Sequence, residues 1–154
     1  MSQIVLFFAT GFGTGYSPIA SGTAGSLVAL PLIWLLKDLA PFPFLITLMA
    51  LTVLSVWIST LAEAIFQQKD SGKIVIDEII GMLFSLALIP LSWKTALAGF
   101  LLFRLFDIWK PFPARLCQDK LPAGWGVVGD DVVAGIYANL ILQILIRSSI
   151  LSVR

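Results

Sequence analysis

Asp77 and Glu78 open the apolar run IVIDEIIGMLFSLALIP, Asp107 lies inside FRLFDIWKP, and Asp130 and Asp131 begin DDVVAGIYANLILQILI. A carboxylate within or at the edge of bilayer-grade sequence is costly, so it marks a functional position. Hard oxygen ligands arriving from several helices suit a divalent cation such as magnesium. Arg104, Asp107 and Lys110 recur at three-residue spacing, which places them along one helical face. Arginine offers bidentate contact to a phosphate, and lysine offers a mobile point charge. Asp77, Glu78 and Gly81 share one flank of a helix, where the small Gly81 lets another helix or a ligand approach. Asp70, in the loop just before, lies at the same end as Asp77. Together these residues suggest a metal ion facing a phosphate group.

Each constellation has a plainer explanation. Asp77 and Glu78 could be a charge pair facing water. Arg104, Asp107 and Lys110 could neutralise one another. Asp130 and Asp131, expected in the first turn of a helix, suit the positive end of its dipole. Asp70 in Asp70-Ser71-Gly72 is also a turn residue, and Glu63 reads as a helix-end carboxylate at a membrane surface. The glycine stretches GFGTG (11–15) and SGTAGS (21–26) match neither the dinucleotide fingerprint nor the P-loop. Backbone N–H groups at a helix start still make an anion site, with Thr23, Gly25 and Ser26 as candidate phosphate contacts. Close helix packing through glycine is the alternative.

Composition narrows the chemistry. Of 154 residues, 58% are hydrophobic and 12% are charged, against about 25% charged in a soluble domain. With a mean hydropathy of +0.98, the expected solvent is lipid. A net charge of +1 gives no case for nucleic acid, and the lone Cys117 allows no internal disulfide. The chain has no histidine, which removes phosphohistidine and histidine acid–base chemistry from this chain. A Cys-x5-Arg phosphatase loop fails at Ala123, and no Asp-x-Asp pair serves an aspartyl-phosphate enzyme. The start, MSQIVLFFATGFG, lacks the basic n-region of a cleavable signal peptide.

The elements that must carry these residues follow from the apolar runs. Residues 3–25 are uncharged and broken by glycine and Pro18. A short helix over 26–36 carries Pro31 and is too short to cross a bilayer, so the N-terminal segment is expected to be re-entrant. Helices are expected over 44–62, 74–90, 95–109 and 130–147, with loops at 63–73 and 111–128. The expected fold is an all-α, membrane-embedded helical bundle of one domain (1–154) with about four spanning helices. If those helices alternate, Lys69, Lys73, Lys110, Arg115 and Lys120 share one side, and Lys37, Lys94, Arg147 and Arg154 the other. The positive-inside rule favours the first side as cytoplasmic.

The polar blocks together resemble the phosphatidylglycerophosphatase A family of small bacterial membrane phosphatases. SPIASGTAGSL (17–27), KDSGKIVIDEIIGM (69–82), FRLFDIWKPFP (103–113) and GWGVVGDDVVAG (124–135) are similar to the family's four signature segments, in the same order. Ala20 stands where the family commonly has proline. The resemblance implies magnesium-dependent hydrolysis of phosphatidylglycerophosphate, a membrane lipid, to phosphatidylglycerol and phosphate, at the cytoplasmic face of the bacterial inner membrane. It carries the family's acidic positions onto Asp70, Asp77, Glu78, Asp107, Asp130 and Asp131 as metal ligands or catalytic carboxylates, and its basic positions onto Arg104 and Lys110. Six carboxylates exceed one magnesium's usual protein ligands. Two ions, or one ion and a separate acid–base carboxylate, are therefore expected. Without histidine, the leaving oxygen would take its proton from a water, a carboxylic acid or Lys110. A cation transporter is the main rival, because it too uses intramembrane acids. The acids here cluster near helix ends beside basic residues instead of lining one crossing path. A CDP-alcohol phosphotransferase would need an Asp-Gly dipeptide, which the chain does not have.

Overall fold

The computed structural model describes residues 2–151. Arg154, counted above on the second basic side, lies outside them. The described chain is all α: α1 (Ser2–Ala9), α2 (Ser21–Leu36), α3 (Pro41–Phe66), α4 (Ile76–Ser85), α5 (Trp93–Trp109), α6 (Ala114–Lys120) and α7 (Gly124–Arg147), with one 3-10 turn at Thr14–Tyr16. α7 packs against α3, α4, α5 and α6. Phe103, Leu48, Met82, Leu83, Leu86 and Leu142 are fully buried around it. Two helices, α3 and α7, are long and apolar enough to cross a membrane, with mean hydropathies of 2.1 and 1.4. Their outer faces keep large apolar side chains exposed, among them Val53, Trp57, Leu140 and Ile144. A bilayer would cover such surface at no cost.

Several boundaries differ from the sequence expectation, each for a local reason. α2 starts at Ser21, five residues before 26, because its glycines serve packing. A Cβ on Gly25 would lie 2.7 Å from Val75 Cβ, so only hydrogen fits there. α3 runs past 62 to Phe66 and stops at Gln67, whose φ of 52° closes the last turn on the Glu63 carbonyl. α5 begins two residues early because Ser92 and Thr95 form a reciprocal capping box.

The largest differences fall on α4 and α7, two of the three helices that carry the acids. α4 ends at Ser85 instead of running to 90. Pro90 disfavours helix in the residue before it, and Leu88 turns the chain with a φ of 56°. α7 begins at Gly124 instead of 130, and part of the expected 111–128 loop is the short helix α6. Gly124 donates its N–H to Thr60 Oγ1 at 3.1 Å, which seats the start of α7 against α3. Asp130 and Asp131 therefore lie in the second turn, not the first. The dipole explanation for that pair loses most of its force, since the effect fades beyond the first turn.

The loops at 63–73 and 110–123 meet at one end of the bundle. Gln118 donates its side-chain amide to Asp70, and Lys69 Nζ reaches the Gln118 carbonyl at 3.4 Å. The shared side expected for these loops is thus a contact between them.

Candidate active site

Three helices bring the acids together. α4 supplies Asp77 and Glu78 from its first turn, and α7 supplies Asp131. One carboxylate oxygen from each of Asp77, Glu78 and Asp131 lies within 4.8 Å of the other two. Asp107 on α5 adjoins Asp131, and Lys110, the residue capping α5, pairs with Asp130. The sequence separation is large, but the register is simple. α4 and α7 run parallel, with Asp77–Glu78 opposite Asp131 and Gly81 opposite Gly135. A Cβ on Gly81 would lie 2.8 Å from the Asp131 carbonyl oxygen, and one on Gly135 would strike the Gly81 carbonyl. Glycine at both positions lets the helices close far enough for the carboxylates to converge.

The cluster is poorly satisfied by the protein. Asp77, Asp130 and Asp131 are buried, with 7%, 3% and 3% of their surface exposed. Asp77 Oδ1, Glu78 Oε2, Asp130 Oδ1 and Asp131 Oδ2 are buried without a hydrogen-bond partner. An unpaired buried carboxylate oxygen is expensive, and several together repel one another. Three hard oxygen donors from two helices, with orphaned lone pairs, fit a divalent cation such as magnesium.

Both basic residues near this triad form their ion pairs with the acids beside it. Arg104 Nη1 donates to Asp107 Oδ2 at 2.6 Å, and Lys110 donates to Asp130. Burial pulls the Lys110 ammonium toward its neutral form. The bond to Asp130 and the charges of Asp130, Asp131 and Asp107 outweigh it, so its pKa rises. Each cation thus links one partner acid to the edge of the triad and keeps further donors for another anion. The other Asp70 oxygen contacts are peripheral: Asp70 takes Gln118's amide, and its N–H donates to Glu63 Oε1 at 2.7 Å. It acts electrostatically on Asp130 from outside the triad.

The start of α2 closes the arrangement. Ala20, with a φ of 52°, provides no side-chain cap, so the first amides of α2 keep their capacity for an anion. A Cβ on Gly22 would meet Glu78 Oε1 and lie 2.9 Å from Arg104 Nη1. Thr23 is half-buried in this first turn. Ser26 is buried and donates to the Gly22 carbonyl at 2.8 Å, while Gly25 faces Val75. Among the phosphate candidates, then, Arg104 and Lys110 lie beside the triad, Thr23 lies in the same turn as Gly22, and Gly25 and Ser26 are engaged in packing and helix bonding. Sequence reasoning missed Gln118, Gly22 and the tie from Glu63 to Asp70. Gly22 was visible as one of the glycines of SGTAGS, but its neighbours were not.

Gly22→Ala should therefore displace Glu78 or Arg104. We expect the kcat/KM of any reaction at this site to fall about 10²-fold, as a misplacement of about 1 Å can do. Membrane insertion and thermal unfolding should stay near wild type. A turnover equal to wild type would separate α2 from the site.

Comparison with known proteins bears on the same residues. The family profile described as Phosphatidylglycerophosphatase A matches residues 7–146. The chain is 38% identical over 144 residues to phosphatidylglycerophosphatase A of Escherichia coli, covering 92% of this chain and 83% of that protein. It is 43% identical over 136 residues to the Haemophilus influenzae protein of the same name, covering 87% and 83%. A provisionally named phosphatidylinositol-3-phosphatase of Bacteroides thetaiotaomicron is 37% identical over 152 residues, covering 93% and 94%. No solved structure matches the chain. With most of its length matched and its acid-bearing helices inside the match, the chain belongs to the phosphatidylglycerophosphatase A family of phosphatases.

Proposed function

We propose that this protein is a magnesium-dependent lipid phosphatase that hydrolyses phosphatidylglycerophosphate to phosphatidylglycerol and inorganic phosphate. The observation that carries the reading is the convergence of Asp77, Glu78 and Asp131 with orphaned oxygens, beside two cations paired with the neighbouring acids Asp107 and Asp130. Asp77, Glu78 and Asp131 would hold the ion, with Asp107 and Asp130 at its edge and Asp70 outside the triad. When bound, magnesium neutralises a phosphate dianion, orients it and makes a water more nucleophilic near neutral pH.

The chain's own residues supply the rest. Arg104 and Lys110 hold non-bridging phosphate oxygens, and the uncapped amides of α2 donate to the third side of the group. The ion pair with Asp130 keeps Lys110 protonated, which suits charge stabilisation better than giving a proton away. The leaving glycerol oxygen then takes its proton from a carboxylic acid of the site. The carboxyls left over after one triad fit one ion with a separate acid–base group more simply than a second ion.

The membrane arrangement belongs to the same proposal. α3 and α7 cross the bacterial inner membrane, and the segments 74–90 and 93–109, the first helical only over α4, complete about four crossings between them. The N-terminal segment through α2 enters and returns on one side, and the site faces the cytoplasm. Acyl chains remain in the bilayer while the head group reaches the triad near the helix ends.

The test is phosphate release from phosphatidylglycerophosphate by the purified full-length chain in mixed micelles, with magnesium and then with chelator. We expect release that disappears on chelation and returns on adding magnesium. Phosphatidylinositol 3-phosphate, prompted by the name of the third relative, serves as comparison substrate and is expected to be the poorer one. Chelator-resistant release would sink the metal reading, and preference for the inositol lipid would sink the substrate assignment.

A further inference from the structure

α4 stops at Ser85, so the carbonyls at its end lose the partners that a continued helix would supply. The side-chain amide of Asn139 on α7 meets that need. Its Nδ2 lies 3.1 Å from the Phe84 carbonyl, 3.1 Å from Ser85 and 2.9 Å from Ala87. Only the amide nitrogen can face three acceptors, so the orientation of the group is fixed by its partners. The Asn139 Oδ1 in turn accepts from Gln143 Nε2 at 2.6 Å. Asn139 is buried, and an unsatisfied carbonyl in hydrocarbon costs several kcal/mol.

The position of Asn139 matters as much as its bonds. It lies eight residues beyond Asp131, and Ser85 lies eight residues beyond Asp77. At 1.5 Å per residue both spans are about 12 Å. The parallel helices therefore touch at three levels one turn apart: carboxylates at 77/78 and 131, glycines at 81 and 135, and the amide clamp at 84–87 and 139. Glycine contact is smooth and tolerates sliding, whereas the two N–H groups of one amide shared among three fixed carbonyls do not. A slip of one residue would move Asp131 about 1.5 Å past Asp77 and Glu78.

We propose that Asn139 is a positioning residue, which pins the register of α4 against α7 and so sets the spacing of the Asp77–Glu78–Asp131 triad from the far end of the helix. The proposal rests on the reading that this triad takes a divalent cation. Asn139 touches neither ion nor substrate. Its effect is carried along α4, and residues that orient metal ligands from a distance typically alter metal affinity about 10–100-fold.

The test is Mn2+ binding to the detergent-solubilised full-length chain, read by the loss of the free-ion signal in electron paramagnetic resonance. Asn139→Leu keeps the volume and removes all donors. We expect it to weaken Mn2+ binding about 10-fold or more, with KM for the lipid phosphate within about twofold of wild type. Asn139→Ser keeps one donor and should fall between. Leu142→Ala, in the next turn and packed toward Gly99 of α5, is the control for lost stability alone and should change Mn2+ affinity by no more than about twofold.

If Asn139→Leu does not accumulate, Asn139→Ser decides the matter. Wild-type affinity in the Asn139 variants, or an equal loss in Leu142→Ala, overturns the pin while leaving the cation reading intact. A wild-type chain that takes up no Mn2+ removes the cation reading, and the proposal falls with it.

Discussion

Asp131→Asn lowers magnesium-dependent phosphate release by on the order of 10³-fold, the upper range for removing one fixed electrostatic contact from a reaction centre. The amide is nearly isosteric, so the helix packing around Gly135 and Asn139 should survive. What changes is charge. Asp131 contributes one of three converging oxygens, and one of its oxygens has no protein partner. Magnesium binds anionic oxygen far more readily than a neutral amide at this radius. Because Asp107 adjoins Asp131, the substitution also changes the field at the neighbouring ion pair. Asp77→Asn and Glu78→Gln should behave alike, since the three act as one unit and their losses should not add. Asp119→Asn, on the exposed surface of α6, should stay within about twofold. The measurement is phosphate release across a magnesium titration, with membrane insertion and thermal unfolding checked in parallel. Near wild-type turnover in two of the three triad variants would defeat a shared site.

Much of the site could be read from residue type and spacing, because intramembrane carboxylates are too costly to be incidental. Asp77, Glu78 and Asp131 stood out in that way, and so did the pairing of Arg104 with Asp107 along one helical face. Spacing could not say that Lys110 would leave that ladder for Asp130, twenty residues away on another helix. That choice depends on Lys110 closing α5 with a left-handed turn, φ 48°, which swings it off the helical face. The spans were legible where apolar runs were unbroken, as in α3. The ends of α4 and α7 were not, because tertiary partners decide them: Asn139 for the carbonyls of α4, and Thr60 for the first amide of α7. Asn139 and Gln143 do interrupt an apolar run at i,i+4 spacing, so a polar stripe on α7 could have been noticed. Its partner could not, since nothing local announces that α4 stops at Ser85.

Lys110→Ala destabilises the fold by about 3 kcal/mol and reduces kcat/KM by on the order of 10²-fold, and the two effects separate in a double variant. Asp130 is nearly inaccessible at 4% side-chain exposure, while Lys110 keeps 26%. Removing the lysine strands a buried carboxylate, which is the costly way to break such a pair. Removing both charges is different. Lys110→Met with Asp130→Leu replaces the pair with apolar groups of similar size, which is often neutral or stabilising in a buried setting. The double variant should regain most of the thermal stability lost in Lys110→Ala. It should not regain activity, because the phosphate has still lost its cation. The pH dependence contributed by Lys110 carries a definite sign. Its folded pKa lies above the ordinary lysine value of 10.5, so its contribution is complete below that value and fades only as pH rises through the raised one. Stability should thus be flat on the lysine's account through neutral pH. Thermal unfolding and phosphate release, measured on the single and double variants, decide the case. Activity recovering together with stability would make Lys110 a structural residue and leave Arg104 and α2 as the phosphate holders.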